Sequence, residues 1–339
     1  MSGWFPNGVV IQVDIHIAIA VLANMTEQRH AIRWWQAWTP YVPGVALALT
    51  MLGSAIFLTV RYDPRPQDAQ LQQQVRQLST QIQQMRQEQS MPAVVLTRYR
   101  NSICYIYGVY HVGFPNRRPG LRARISGTGF VVADGLLATN RHVAEPWYED
   151  PDADALIRRG ATPELERLVA FFPGSPLPID ITPIVLSAST DLAVLRIPPN
   201  RKLAPLPLSH SGTPPGELVT VIGYPMGVAG MVAKSPPAVY DRLAYRHDDI
   251  GAANELAALS LIRPSATVGH LGDVVGDKLI YDAPTAHGGS GGPVFNSRGQ
   301  VIGINAAYMD GFSGGTLGVS VQALQPLIDA AQKKKLIAK

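Results

Sequence analysis

The pattern of apolar and polar positions divides the chain into three stretches of different character. From Val42 to Val60 the run VPGVALALTMLGSAIFLTV holds no charged residue. At the rise of an α-helix it approaches the ~30 Å needed to cross a hydrocarbon core. Trp34, Trp35, Trp38 and Tyr41 gather at its front edge, where amphipathic rings favour the headgroup layer, and Arg61 closes the other end. A transmembrane helix over 42–60 is therefore expected, with a buried helix of a soluble protein as the alternative. After DPRP, the polar segment DAQLQQQVRQLSTQIQQMRQEQS spaces Leu71, Val75, Leu78, Ile82 and Met85 alternately four and three apart. β-Branched residues take one seam position and Leu or Met the other, which favours a parallel dimer. A short coiled coil joining copies of the chain through residues 67–90 is expected; a lone amphipathic stalk is the alternative. From Met91 onward short period-two runs separated by Gly and Pro predict an all-β sandwich or barrel, and VQALQPLIDAAQKKKLIAK closes the chain as an amphipathic helix. The organisation read from pattern is thus a tail (1–41), a membrane helix (42–60), a linker with coiled coil (61–91) and a β domain (92–339).

Composition trims the possibilities. The earlier apolar run GVVIQVDIHIAIAVLA is short, carries Asp14 and His16 and has no basic residues before it, so it fits neither a signal peptide nor a span. Met25 opens MTEQRHAIRWWQAW, which reads as a short cytoplasmic tail, and residues 1–24 are expected to be an upstream mis-start. Arg29 and Arg33 on one side of the span face Arg61, Arg65 and Arg76 on the other, so basic residues do not orient it. The net charge of +4 is mild and, apart from one terminal KKK, scattered, so no nucleic-acid partner is expected. Cys104 is the single cysteine, which excludes an internal disulfide and a cysteine-rich metal site. In SICYIYGVY it reads as a buried small hydrophobe. Neither a metal nor a cofactor is expected.

The chemistry gathers around TAHGGSGGPVFN, residues 285–296. Gly and Ser alone would read as a linker, but DKLIYDA before and PVFNSRGQVIGINAAY after are strand-like, the latter folded at NSRGQ. A tight loop that turns several backbone N–H groups toward one spot needs glycine there. If Ser290 is a nucleophile it needs a general base, and that base needs an orienting carboxylate. GTGFVVADGLLATNRHVAE sets His142 just after two apolar strands, and TDLAVLRI sets Asp191 at the head of another. Singly, each has an ordinary reading, as a core or surface imidazole and as a strand-initiating acid.

Together, in the order His, Asp, Ser, these stretches resemble the trypsin-like serine proteases, and most closely the bacterial HtrA-type branch. GTGFVV and ATNRHV resemble that branch's strands before its His, STDLAVLRI its Asp strand, VIGYPMG the strand and turn that follow, and GGSGGPVFN with VIGINAA its Ser loop. The resemblance covers about Pro92 to Leu336. It implies a double six-stranded β-barrel of the trypsin type with a C-terminal helix, and an active site in the cleft between barrels. By position it makes His142 the base, Asp191 its orienter and Ser290 the nucleophile, with the N–H groups of Gly288 and Ser290 as oxyanion hole. Pro284 stands where trypsins carry the acid that binds Lys or Arg. With Ala306, Ala307 and Gly318 as pocket walls, cleavage after small or medium uncharged side chains is expected. His287 reads as a solvated loop residue.

The resemblance further implies polypeptide substrates, an acyl-enzyme, and a single-pass protein of the bacterial inner membrane with its protease domain on the periplasmic or extracytoplasmic side. Protein quality control or regulated proteolysis is the expected setting. The alternatives are a catalytically silent pseudoprotease serving as a membrane-anchored binding module, and a coiled-coil scaffold with a passenger domain. Three departures accompany the resemblance. No PDZ domain follows the protease stretch, so PDZ-driven activation is not expected. The interruptions Tyr148–Leu168 and Met231–Arg263 exceed the family's loops and would cover the cleft or bind a partner. Gly289 replaces the Asp of digestive trypsins, so N-terminal cleavage is not the expected switch, and the glycine run predicts an oxyanion loop partly disordered at rest.

Overall fold

A computed structural model describes residues 42–61, 66–115, 120–200, 203–308 and 315–337. The tail 1–41, with the expected mis-start 1–24, lies outside the described residues. The chain divides into two compact units after Ser79. The first holds helix α1, Val42–Arg61, with exposed Val45, Leu49, Leu52 and Phe57. Among the described residues no helix is long and apolar enough to cross a membrane. The side chains described in α1 run only from Pro43 to Phe57, about 22 Å of helix at 1.5 Å per residue.

Helix α2, Pro66–Tyr99, carries the seam into the second unit. Leu71, Val75, Leu78, Ile82 and Met85 are all exposed along it. The strand pattern expected from Met91 does not begin there, because the helix continues through Pro92 to Tyr99. Burial explains this: Met91, Val95 and Tyr99, four apart, form one helical face in the main core. Tyr99 stacks on Phe295 at 5.9 Å, and the turn at Gly299 lies against Met91 and Val95. Tertiary packing thus overrides the local preference of the Val-rich run for strand.

The rest of the second unit is β-rich. Strands β1 (Ile103–Gly113), β2 (Leu121–Ala133), β3 (Leu136–Thr139), β4 (Thr162–Phe171), β5 (Ile179–Asp180), β6 (Thr182–Leu186) and β7 (Ala193–Arg196) form one antiparallel sheet. Its order is β5-β4-β1-β2-β3-β7-β6. Strands β8 (Leu218–Gly223), β9 (Ser265–Val275), β10 (Lys278–Tyr281), β11 (Pro293–Phe295), β12 (Val301–Tyr308) and β13 (Thr316–Ser320) close a six-stranded barrel in the order β10-β13-β12-β11-β8-β9.

The first half is assigned seven strands where six were expected, because one run is split in two. The physical reason is one bend. The sheet's two edges, β5 and β6, are halves of a single run, 179–186, interrupted at Ile181. The first half pairs with β4 and the second with β7, and Ile181 N–H still donates to Leu168 C=O. Turning at one buried residue lets a single segment serve both edges, and edges left unpaired are a liability.

Helices fill the two interruptions. The first follows α3 (Arg141–Ala144) and holds α4 (Pro151–Ile157), which Asp150 caps by accepting from Ala153 N–H and Pro151 opens. The interruption then runs into β4. The second holds α5 (Gly227–Ala233), α6 (Pro237–Leu243) and α7 (Asp249–Ala258), with Ala252, Ala253, Leu256 and Ala257 buried. The C-terminal helix α8, Gln325–Ile337, buries Ile328 and Ala331 against the same core. Cys104 is fully buried on β1, and burial pushes its thiol pKa up.

Candidate active site

His142 lies in the single turn α3, directly after β3. Its Nδ1 is 2.7 Å from Asp191 Oδ2, and its backbone N–H donates to Asp191 Oδ1 at 2.9 Å. A carboxylate only accepts, so Nδ1 carries the ring proton and Nε2 presents a lone pair. The turn bearing Asp191 is fastened to the His segment twice. Asn140 Nδ2 donates to Asp191 C=O at 2.8 Å, and Arg141 Nη1 donates to Ser187 C=O at 2.8 Å. Ser187 Oγ in turn accepts from the Ser189 and Thr190 N–H groups and the Thr190 hydroxyl. Both side chains of the pair are mostly covered, with 30% of His142 and 20% of Asp191 accessible.

Ser290 sits on the loop between β10 and β11, and backbone hydrogen bonds shape that loop. Gly289 N–H donates to Ala286 C=O, Gly291 N–H to Asn305 C=O, and Gly292 N–H to Gly289 C=O. The C=O of Ser290 accepts from Thr128 N–H at 2.8 Å, and that of His287 from Met226 N–H at 2.6 Å. Among the described residues, the N–H groups of Gly288 and Ser290 have no acceptor. Gly288 adopts φ +88°, and a Cβ there would lie 2.5 Å from Tyr224 O; Gly291 at φ +87° would meet Thr128 O at 2.0 Å. Glycine is required at both positions. Hydrogen bonds thus run along the loop expected to be partly disordered, and each opposes glycine's larger ordering entropy.

Ser290 Oγ donates to Ala306 C=O at 2.9 Å, and among the described residues no hydrogen bond joins it to His142. The expected pocket residues fall around this loop. Ala306 thus touches the serine directly, and Ala307 pairs with Leu317 in the β12–β13 ladder. Gly318, buried, lies against the Tyr281 ring. Pro284 is exposed and borders a small cleft with Thr285, Gly289, Gly223 and Ser265. His287 is exposed. Among the described residues no three His, Cys, Asp or Glu side chains converge as a metal site.

Two positions went unnoticed in the sequence. Thr128, fully buried on β2, donates its hydroxyl to Gly288 C=O and accepts from Tyr224 N–H, while Thr139 Oγ1 donates to its C=O. Asn305, also fully buried, accepts the Tyr281 hydroxyl at 2.7 Å and donates from Nδ2 to Thr285 Oγ1 at 3.0 Å. The one signal for Thr128 was its place inside GTGFVV.

Comparison with known proteins adds the following. Residues 127–304 match the trypsin-like peptidase domain family. A probable periplasmic DegP-like serine endoprotease of Rhizobium meliloti is 29% identical over 208 residues, 61% of this chain and 32% of that protein. A DegP-like protein of Chlamydia pneumoniae is 30% identical over 214 residues, 61% of this chain and 34% of that one. A glutamyl endopeptidase of Staphylococcus epidermidis is 26% identical over 244 residues, 66% of this chain and 70% of that one. The chain spans about a third of the length of the DegP-like relatives. Among solved structures, a serine endoprotease from Yersinia pestis superposes with a TM-score of 0.46 at 18% identity, over 70% of this chain and 65% of that one.

Proposed function

Because the chain belongs to the trypsin-like peptidase domain family, we propose that it is a serine endopeptidase of the HtrA-type branch, with Ser290 as nucleophile, His142 as general base and Asp191 as the orienting carboxylate. One observation carries this reading. Beside a hydrogen-bonded His–Asp pair, the serine loop spends the backbone donors of Gly289, Gly291 and Gly292 and, among the described residues, leaves those of Gly288 and Ser290 unspent. Two N–H groups held open by a fixed loop are what a developing oxyanion needs.

The steps follow from these roles. Ser290 Oγ exchanges the Ala306 carbonyl for His142 Nε2 by rotating about χ1, then attacks a peptide carbonyl while Nε2 takes its proton. Asp191 stabilises the imidazolium, and the amides of Gly288 and Ser290 hold the oxyanion. The imidazolium then protonates the leaving amine. Water, deprotonated by the same base, releases the acyl group from Ser290. With no carboxylate at Pro284, and Ala306, Ala307 and Gly318 as walls, the preferred residue before the cut is small or medium and uncharged.

Taken over its full sequence and not only over the described side chains of 43–57, the run 42–60 anchors the protein as a single pass in the bacterial inner membrane, with the protease domain on the extracytoplasmic side. The uncharged run of α1 and the periplasmic designation of the DegP-like relatives support this. Residues 67–90 pair with a second copy through the exposed apolar row of α2. The Ser290–Ala306 bond keeps a second reading in view, a silent binding module whose serine never reaches the base. Fluorophosphonate labelling separates the two: stoichiometric labelling that Ser290→Ala abolishes is expected. An unlabelled wild-type protein would leave the module.

A further inference from the structure

We propose that Thr128 is a positioning residue for the oxyanion hole, acting through the single proton of its hydroxyl. The inference rests on the enzymatic reading of the Ser290 loop but concerns a residue that takes no part in bond making. Thr128 lies on β2 of the first sheet, while the loop it touches belongs to the second barrel. Its Oγ1 has two partners: Tyr224 N–H at 3.1 Å and Gly288 C=O at 2.7 Å. An amide N–H can only donate, so the oxygen accepts from Tyr224 and its one proton must go to Gly288. The direction of the bond is thereby fixed without reference to any hydrogen position.

The consequence for the hole follows from peptide planarity. In a trans peptide the C=O and the next N–H point opposite ways, so fixing a carbonyl aims the amide behind it. The 287–288 plane is fixed by Met226 N–H on His287 C=O, and the 289–290 plane by Gly292 N–H on Gly289 C=O. These two planes carry the Gly288 and Ser290 donors. Between them, the 288–289 plane is held by the Thr128 hydroxyl on Gly288 C=O and by Gly289 N–H on Ala286 C=O. Thr128 N–H also takes Ser290 C=O at 2.8 Å. One residue therefore grips the loop on both sides of Gly289. A backbone N–H survives any substitution except Pro, so the hydroxyl is the part that mutation can isolate. Its loss strands two groups at once, a carbonyl without a donor and an amide without an acceptor, at a site from which solvent is excluded. Both find new partners only if the 288–289 plane turns, and that turn changes ψ of Gly288 and φ of Gly289, the torsions that join it to the two donor planes, and so loosens the aim of both donors.

The test compares wild type, Thr128→Val and Thr128→Ser, using saturation kinetics of fluorophosphonate inactivation, whose P–O group occupies the hole only as the bond to Ser290 forms. Loss of a whole oxyanion donor costs about 10²–10³ in turnover. Misaiming one should lower the maximal inactivation rate of the Val variant about 10- to 100-fold, with half-saturation changed less than about twofold. The Ser variant keeps the proton and should retain the rate within about threefold. Amide hydrogen exchange over residues 286–292 gives a readout free of activity, expected to be faster in Val and restored in Ser. A Val variant that inactivates and exchanges like wild type would overturn the proposal. So would equal impairment of Val and Ser, with matching losses in melting temperature, since that marks packing and not the proton. A wild type inert to the reagent would remove the enzymatic reading, and the exchange comparison would still decide whether the hydroxyl holds the loop.

Discussion

On the base side of the candidate site, from Thr139 to Ala144 and in the turn before β7, side chains do the holding: imidazole to carboxylate, amide to carbonyl, guanidinium to carbonyl. The nucleophile side, 286–292, is held almost wholly by backbone groups, its own and those of Thr128, Met226 and Asn305, with one hydroxyl from the other sheet. The difference shows where each half tolerates change. Side-chain networks fail when a functional group is lost, whereas a backbone-held loop fails when a Cβ is gained. It also explains why the base pair is already joined while Ser290 still bonds Ala306. A geometry built from backbone can be complete before its one side chain is turned into place.

The base side breaks most completely at His142. His142→Ala should reduce turnover of a peptide substrate by about 10⁶, since removing a triad's base alone costs nearly as much as removing the triad. Asp191→Asn spares the shape but offers an amide to Nδ1, favouring the wrong tautomer, and should cost about 10⁴ in kcat with the melting curve unchanged. On the nucleophile side, Gly288→Ala leaves every functional group in place. Its Cβ would nonetheless press to 2.5 Å from Tyr224 O at a φ of +88°, so kcat should fall by about 10²–10³ as that donor is displaced. If the alanine variant keeps full kcat, the contrast between the two halves collapses. The smallest effect lies outside the site. Arg122 donates twice to Glu166 and holds its carboxyl below the ordinary carboxylate value, with His111 beside it. A carboxyl that titrates lower folded than unfolded adds stability above its unfolded pKa, and this is lost as pH falls through the folded value. Glu166→Gln should therefore flatten part of the acid limb of a urea-midpoint profile without altering the neutral-pH fold.

The residues expected to carry chemistry were legible because each comes with neighbours of the right kind: glycines where φ must be positive, apolar strands that deliver a polar residue at their ends. Such neighbours made Asp191, His142 and the Gly288–Gly292 run candidates, and the family resemblance supplied their expected roles. Thr128 could not, because its importance lies in which carbonyl its proton reaches, a matter of two strands far apart in the chain. The continuation of α2 to Tyr99 was hidden for a similar reason. A Pro followed by Ala and two valines reads locally as strand, and only the Phe295 ring and the Gly299 turn, supplied from about two hundred residues onward, make the helical face worth burying. The break at Ile181 leaves no mark of its own, since a buried apolar residue between exposed Asp180 and Thr182 simply continues the alternation of a strand. The helices of the second interruption were half legible, their apolar spacing visible but their ends set by caps such as Asp248 on Gly251.

Cys104 is the one cysteine of the chain, sealed inside β1 with its thiol held protonated by burial. To thiol-directed probes the folded protein is thus a blank slate. A single cysteine introduced at an exposed position such as Tyr245, 84% accessible on the turn between α6 and α7, would account for any thiol-reactive signal by itself. Spectroscopic labels can therefore be placed on this protein without first removing a native thiol, and a fluorophore or spin label so attached would report on one known site.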